Sequence, residues 1–185
     1  MIYRMIGDRE MHLNARLIPL SPEKAQDALL DDIEYAGGFQ ANEFNRDDFY
    51  FMDMIESYGP PVFSQKFKTL CERQNVAARF NSVNIFWGGE NILDWIGPEI
   101  SGYFTAVLPK VNVIDDRLRP MRFWPKLKKF KHEDYVINKH LPDGVSLAVD
   151  LLRPHLTLCS KEFRSACENA GVQVSFEDLP CVPGI

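Results

Sequence analysis

The chain has 185 residues, 45% hydrophobic and 25% charged, with a formal net charge of −5; that is the size of one domain with a sizeable core, and the composition excludes wholesale disorder. No stretch approaches the roughly 18 apolar residues of a membrane span, and the opening MIYRMIGDREMHLN has no apolar targeting core or small-residue cleavage site, so the reading is a single cytoplasmic domain with no membrane partner. Residues 1–59 carry twelve acids against five bases, and residues 110–140 nine bases against four acids; the acidic whole disfavours nonspecific nucleic-acid binding and suits a basic protein partner.

Ile2–Ile6 and His12–Leu17 read as short strands. Ser21-Pro22-Glu23 has the residues of a helix start: a capping hydroxyl, a proline at the first helical position and an acid at the positive end. Ala25, Ala28, Leu29 and Ile33 fall on one helical face, and Gly37-Gly38 is the expected stop. Asn45–Tyr58 fits neither period and ends at Gly59-Pro60-Pro61. These 59 residues form an acidic segment ahead of the body, 60–185.

The body uses one short unit twice. VFSQKFKTLCERQNVAARFNSV (62–83) recurs as LCSKEFRSACENAGVQVSFEDL (158–179), with Ser64/Ser160, Phe67/Phe163, Cys71/Cys167, Glu72/Glu168, Val76/Val172 and Phe80/Phe176 identical. Each serine stands where a helix N-cap belongs. Phe67, Leu70 and Cys71, and again Phe163, Ala166 and Cys167, make a buried stripe at i, i+3, i+4. Asn75 and Gly171 share the position after the helix, and these residue types best tolerate a left-handed cap. Each unit therefore reads as β-α-β. Between the copies, Val83–Trp87, Tyr103–Leu108, Met121–Phe130, Tyr135–Leu141 and Val145–Leu152 read as strands, with Pro142-Asp143-Gly144 as a turn. Pro125 demotes its strand to an edge or a bulge. The expected fold class is α+β, with mostly antiparallel sheet and a few helices.

Chemical motifs are sparse. His155, Cys159, Cys167 and Cys181 lack the compact paired spacing of a zinc site. Cys71 and Cys167 sit at core-facing repeat positions rather than beside a base, and neither a nucleophile elbow nor a phosphate loop is present. Asp31-Asp32, Asp47-Asp48 and Asp115-Asp116 are adjacent pairs, whose side chains diverge on any regular element. No cofactor or metal is expected. Residues 117–131, with Arg117, Arg119, Arg122, Trp124, Lys126, Lys128, Lys129 and Lys131 among aromatics, read as a lysine-protected edge strand, as a partner surface, or as a single-stranded nucleic-acid surface.

Pro61-Val62-Phe63-Ser64 with its helix, then Val83, Tyr103-Phe104 with Val107, Val111 through Asp115, and an apolar strand leading into Ser160, a helix, Gly171 and Phe176 form a recognisable series. Across roughly residues 50–180 it resembles a bacterial family assigned as immunity proteins in polymorphic toxin systems, with 88–100 as an insertion. The resemblance implies a nonenzymatic protein that binds and neutralises a cognate toxin domain. It supplies no binding residues, because its motif positions are structural. Charge and expected exposure nominate Asp31, Asp32, Glu34, Asp47 and Asp48, and the loop carrying Trp87, Glu90, Asp94 and Trp95; its tryptophans suit either an interface anchor or a loop fastened to the core. The alternatives are an enzyme reversing a toxin's modification, with a pocket near His132, His140 or His155, and the nucleic-acid module.

Overall fold

The computed structural model describes residues 1–7, 16–42, 44–94, 102–114, 121–124, 129–132, 137 and 140–179. In chain order the elements are β1 (Ile2–Ile6), β2 (Leu17–Pro19), α1 (Pro22–Leu30), β3 (Phe39–Ala41), a 3-10 helix (Arg46–Phe51), β4 (Met54–Ile55), β5 (Val62–Ser64), α2 (Gln65–Arg73), β6 (Arg79–Val83), β7 (Ile85–Trp87), β8 (Glu90–Asn91), a 3-10 helix (Ile92–Asp94), β9 (Tyr103–Val107), β10 (Lys110–Val111), β11 (Met121–Trp124), β12 (Lys129–His132), β13 (Leu147–Asp150), β14 (Thr157–Ser160), α3 (Lys161–Asn169) and β15 (Ser175–Asp178). The fold is α+β. Its strand pairs are antiparallel except β10–β13 and β3–β7 among the described residues.

Both repeated units form as expected, and for the reason visible in their residues. Ser64 Oγ accepts from the Phe67 amide and Ser160 Oγ from the Phe163 amide, each at 3.2 Å. After each helix, Asn75 (φ 51°) and Gly171 (φ 63°) turn the chain left-handed. The next amides, Val76 and Val172, reach back to the Cys71 and Cys167 carbonyls at 2.9 Å in both copies, which closes the helix with a Schellman-type pattern. A Gly171→Ala variant places a β-carbon at positive φ and should lose about 1 kcal/mol, while Asn75→Gly stays near wild type; paired thermal denaturation curves check both.

The duplication extends beyond the sequence repeat. In one sheet the order is β4-β5-β9-β6; in another, β13-β14-β1-β15 runs beside β10. The registers superimpose: Phe63 faces Phe104 and Ser82 faces Phe104, as Cys159 faces Tyr3 and Asp178 faces Tyr3. Met54 opposite Phe63 corresponds to Leu147 opposite Cys159. The chain order differs, however. The central strand of the first unit, β9, follows its helix, whereas that of the second, β1, precedes everything else described.

Side chains alternate across each sheet. Phe63, Met54, Cys159, Leu147, Tyr3 and Met5 face a shared core that also receives Phe67, Leu70 and Cys71 of α2 and Phe163 and Cys167 of α3. On the far side of the first sheet, Ile55, Val62, Val83 and Tyr103 pack with Leu17, Phe39 and Ile85 of the sheet β2-β3-β7-β8. Beyond the second, Ile2, Ala148 and Leu158 meet Val111, Val113, Ile114 and Ile137.

Several boundaries differ from expectation. α1 ends at Leu30 because Asp31 is its cap and Asp32 turns left-handed (φ 57°), so Gly37-Gly38 is not the stop and Ile33 lies beyond the helix, 54% exposed. Ser21 makes no side-chain cap bond, although Pro22 opens the helix. Val83–Trp87 breaks at Asn84 into strands of two different sheets. Met121–Phe130 is not one strand: Met121–Trp124 and Lys129–His132 are two antiparallel strands, pairing Met121 with His132 and Trp124 with Lys129. Residues 12–15, Pro125 and most of Tyr135–Leu141 lie outside the described residues.

Candidate partner-binding surface

The three described cysteines are part of the core. Cys71, Cys159 and Cys167 are buried free thiols. Burial raises all three; Cys167 is pushed up to about 12, with Asp53 and Glu168 contributing, and Cys71 and Cys159 are raised as well, Arg164 opposing the rise at Cys159. At neutral pH they remain thiols, and the thiolate is the nucleophilic form. With Cys181, outside the described residues, replaced by serine, Ellman's reagent should leave the three unlabelled in the native protein at pH 8 and label them after urea unfolding. His155 and Cys159 do not converge on a metal: the cysteine is fully buried and the histidine is exposed. Among the described residues, no group of three His, Cys, Asp or Glu side chains could hold a metal ion.

The nominated acids divide into structural and exposed groups. Asp32 pairs with Lys110 at 2.9 Å and Glu34 with Arg79 at 3.5 Å, while Lys110 Nζ donates to the Leu30 carbonyl at 2.6 Å and Arg79 Nη2 to the Asp32 carbonyl at 3.1 Å. Two bases of the body thus clamp the segment that leaves α1. Asp48 is not a surface carboxylate. It is 8% exposed and accepts from the Asn45 amide at 2.5 Å, which caps the 3-10 helix. That helix seats Phe49, fully buried and stacked on Phe44, so Asp48 holds a core turn while Asp47 beside it is exposed. Polarity alone nominated both, and the Asn-x-x-Asp spacing of a capping box was the available signal. Asp31 is exposed at the end of α1.

In the glycine-rich loop, Trp87 is half-buried against the first core and its Nε1–H donates to the Phe44 carbonyl at 2.7 Å. The Gly88-Gly89 turn, with φ of 59° and 90°, returns the chain so that Glu90 lies opposite Trp87. Glu90 and Asp94 are exposed; Trp95 lies outside the described residues. Trp87 therefore fastens the loop to the core, while Glu90 and Asp94 are presented to solvent. Asp115, Asp116, Lys126 and Lys128 also lie outside the described residues.

The surface around α1 differs from these satisfied sites. Ala25 is fully buried, with Ala28 partly buried in the same core. The helix comes so close to Gly59 that a β-carbon there would stand 2.8 Å from that of Ala25. The opposite face carries Glu23, Gln26, Asp27 and Leu30, followed by Asp31 and Ile33. Leu20, Leu30 and Ile33 are each 54% exposed. Sequence reasoning nominated Asp31 here but assigned Ile33 to the buried stripe, because it carried the helical period past the helix's actual end.

No protein-family model matches the chain, and no curated protein matches it.

Proposed function

We propose that this chain is an immunity protein that neutralises a cognate bacterial toxin domain by binding it, without catalysis, through the outward face of α1 and the turn that follows. The observation that carries this reading is the pairing of exposed leucine and isoleucine, Leu30 and Ile33, with acids on the same short stretch, Asp27 and Asp31. Apolar side chains suit the buried centre of an interface, which is more apolar than its polar rim, and a charged surround steers the partner and sets its sign. An acidic surround selects a basic partner, in keeping with the net charge of −5. The clamps from Lys110 and Arg79 support it further. They hold the segment against the body before any partner arrives, which lowers the ordering cost of association. The sequence resemblance provides the partner class, since its motif positions are absorbed by caps and core and leave the surface to carry specificity.

The test is co-purification with the C-terminal domain of the toxin encoded beside this gene. A complex at micromolar concentration is expected. Leu30→Asp with Ile33→Asp should weaken it by about 2 kcal/mol or more, while the unfolding midpoint changes little, since surface substitutions stay within about 0.5 kcal/mol. Asp27→Lys with Asp31→Lys should slow association and flatten its salt dependence. Absence of a complex with the wild-type chain overturns the reading, and a complex indifferent to all four substitutions removes α1 from it.

A further inference from the structure

Where the two repeated units meet on the side of Tyr58, the surface opens into a pocket of about 230 Å³. One wall comes from β1 of the second unit, through Arg4 and Met5; another from β4 and the chain following it, through Met54, Glu56 and Tyr58 of the first. Arg16 and His155 complete the polar lining. Among the described residues, three basic side chains and one carboxylate, that of Glu56, line this pocket, in a protein whose overall charge is negative.

We propose that this pocket is a binding site for a small phosphate-bearing molecule, its phosphate held by Arg4, Arg16 and His155 and its organic part resting against Tyr58. The arginines are already oriented. Arg4 Nη1 meets Glu177 at 3.1 Å and Arg16 Nη2 meets Glu56 at 3.0 Å. Each of these pairs occupies one nitrogen of a group with five N–H donors, so the internal acids position the guanidiniums without exhausting them. A planar donor fork is also the geometry that recognises phosphate. Tyr58 is 68% exposed, and the Arg16 guanidinium lies 5.7 Å from its ring centre, which leaves aromatic surface at the rim. Leu29, Met54 and Pro61 supply apolar wall. Size restricts the ligand, because drug-sized molecules occupy roughly 300–1,000 Å³; this volume suits one phosphate with a small substituent.

The local field agrees with the geometry. His155 titrates below its ordinary value, first through burial and then through Arg4, Arg153 and Arg16, with the Asp150 carboxylate opposing them. The positive charge around it adds to the bias toward the neutral imidazole, and an anion that offsets this charge shifts the histidine back toward its protonated form. Of the other charged groups here, Glu177 and Glu56 are engaged by Arg4 and Arg16, and Asp150 by Arg153 at 3.3 Å.

The pocket touches α1 at Leu29 but is lined by none of Asp27, Leu30, Asp31 or Ile33, so its test does not involve the toxin. Inorganic phosphate and phenyl phosphate are titrated into the full chain while the His155 ring proton resonances are followed across pH. Saturable shifts at millimolar ligand are expected, with the His155 pKa raised in the bound state and phenyl phosphate binding more tightly than phosphate. Arg16→Gln, at a half-exposed position, should weaken both ligands about tenfold or more and remove the rise in the His155 pKa. Arg79→Gln, on the other surface, should leave both titrations unchanged. The proposal is overturned if His155 does not respond, if chloride at equal ionic strength moves it equally, or if folded Arg16→Gln binds like wild type.

Discussion

Phe67→Ala should cost about 4 kcal/mol, read from the urea midpoint at constant m-value, because it opens a cavity where both repeated units contribute side chains. The ring is fully buried. It stacks on Phe63 with centroids 4.4 Å apart and planes 16° apart, and it meets Phe163 edge-on at 6.0 Å and 70°. No neighbour collapses easily into the vacancy, since Phe63 and Phe163 are each anchored by their own sheet or helix. Against a total of roughly 5–15 kcal/mol for a folded domain, this one truncation removes a large share. Phe163→Ala should fall in the same range. The double variant should lose less than the sum by about 1 kcal/mol, the usual coupling of an aromatic pair. Strict additivity would mean that the two units do not share their core through these rings.

Asp53→Ala should cost about 3 kcal/mol, and Lys66→Met less than about 1 kcal/mol. The contrast distinguishes two contributions to one network. Asp53 is 7% exposed; its Oδ1 accepts from the Ser64 hydroxyl, and its Oδ2 from the Gln173 amide at 2.8 Å. Backbone bonds run alongside, from Ser64 N to Asp53 O at 3.1 Å and from Asp53 N to Gln173 O at 3.4 Å. Removing the carboxylate deprives a buried hydroxyl and a partly buried amide of a charged acceptor. Lys66 Nζ lies 3.6 Å from Oδ2, but its side chain is 49% exposed, so water screens that attraction and replaces it readily. If Lys66→Met proved as costly as Asp53→Ala, the ion pair rather than the hydrogen bonds would hold the units together. The charge of Asp53 also reaches Tyr103, whose hydroxyl donates to the Phe49 carbonyl at 2.7 Å. Burial first, and then Asp53, raise the Tyr103 pKa.

The units were legible because everything that forms them lies within about twenty residues. A serine before the helix, a three-four apolar stripe and an Asn or Gly after it specify local geometry regardless of the surroundings. The choice of central strand was not legible. Nothing in the five residues of β1 marks them as the counterpart of β9, because strand pairing depends on partners brought together by the whole fold. The same distinction explains the site. Asp31 and Asp47 could be nominated by charge, yet charge could not separate exposed Asp47 from Asp48, which caps its own turn. Trp87 suited either a partner or the core, and its indole donates to the Phe44 carbonyl within the core it packs against. His155 was named as a possible pocket residue, but Arg4 and Arg16 were not joined to it, because the three come from distant segments with no spacing to connect them.

The displaced central strand has a consequence for how the protein is made. β9 can complete its sheet soon after synthesis, since β4, β5 and β6 have already left the ribosome. β1 is made before them all, but its neighbours β14 and β15 come last. Until then Ile2–Ile6, with an alternation suited to a sheet interior, has no native partner on either edge. Contacts this distant in sequence form slowly, and a waiting apolar strand is a hazard for intermolecular pairing. The first half of the protein can be finished early, whereas the second must wait for both its oldest and its newest strands.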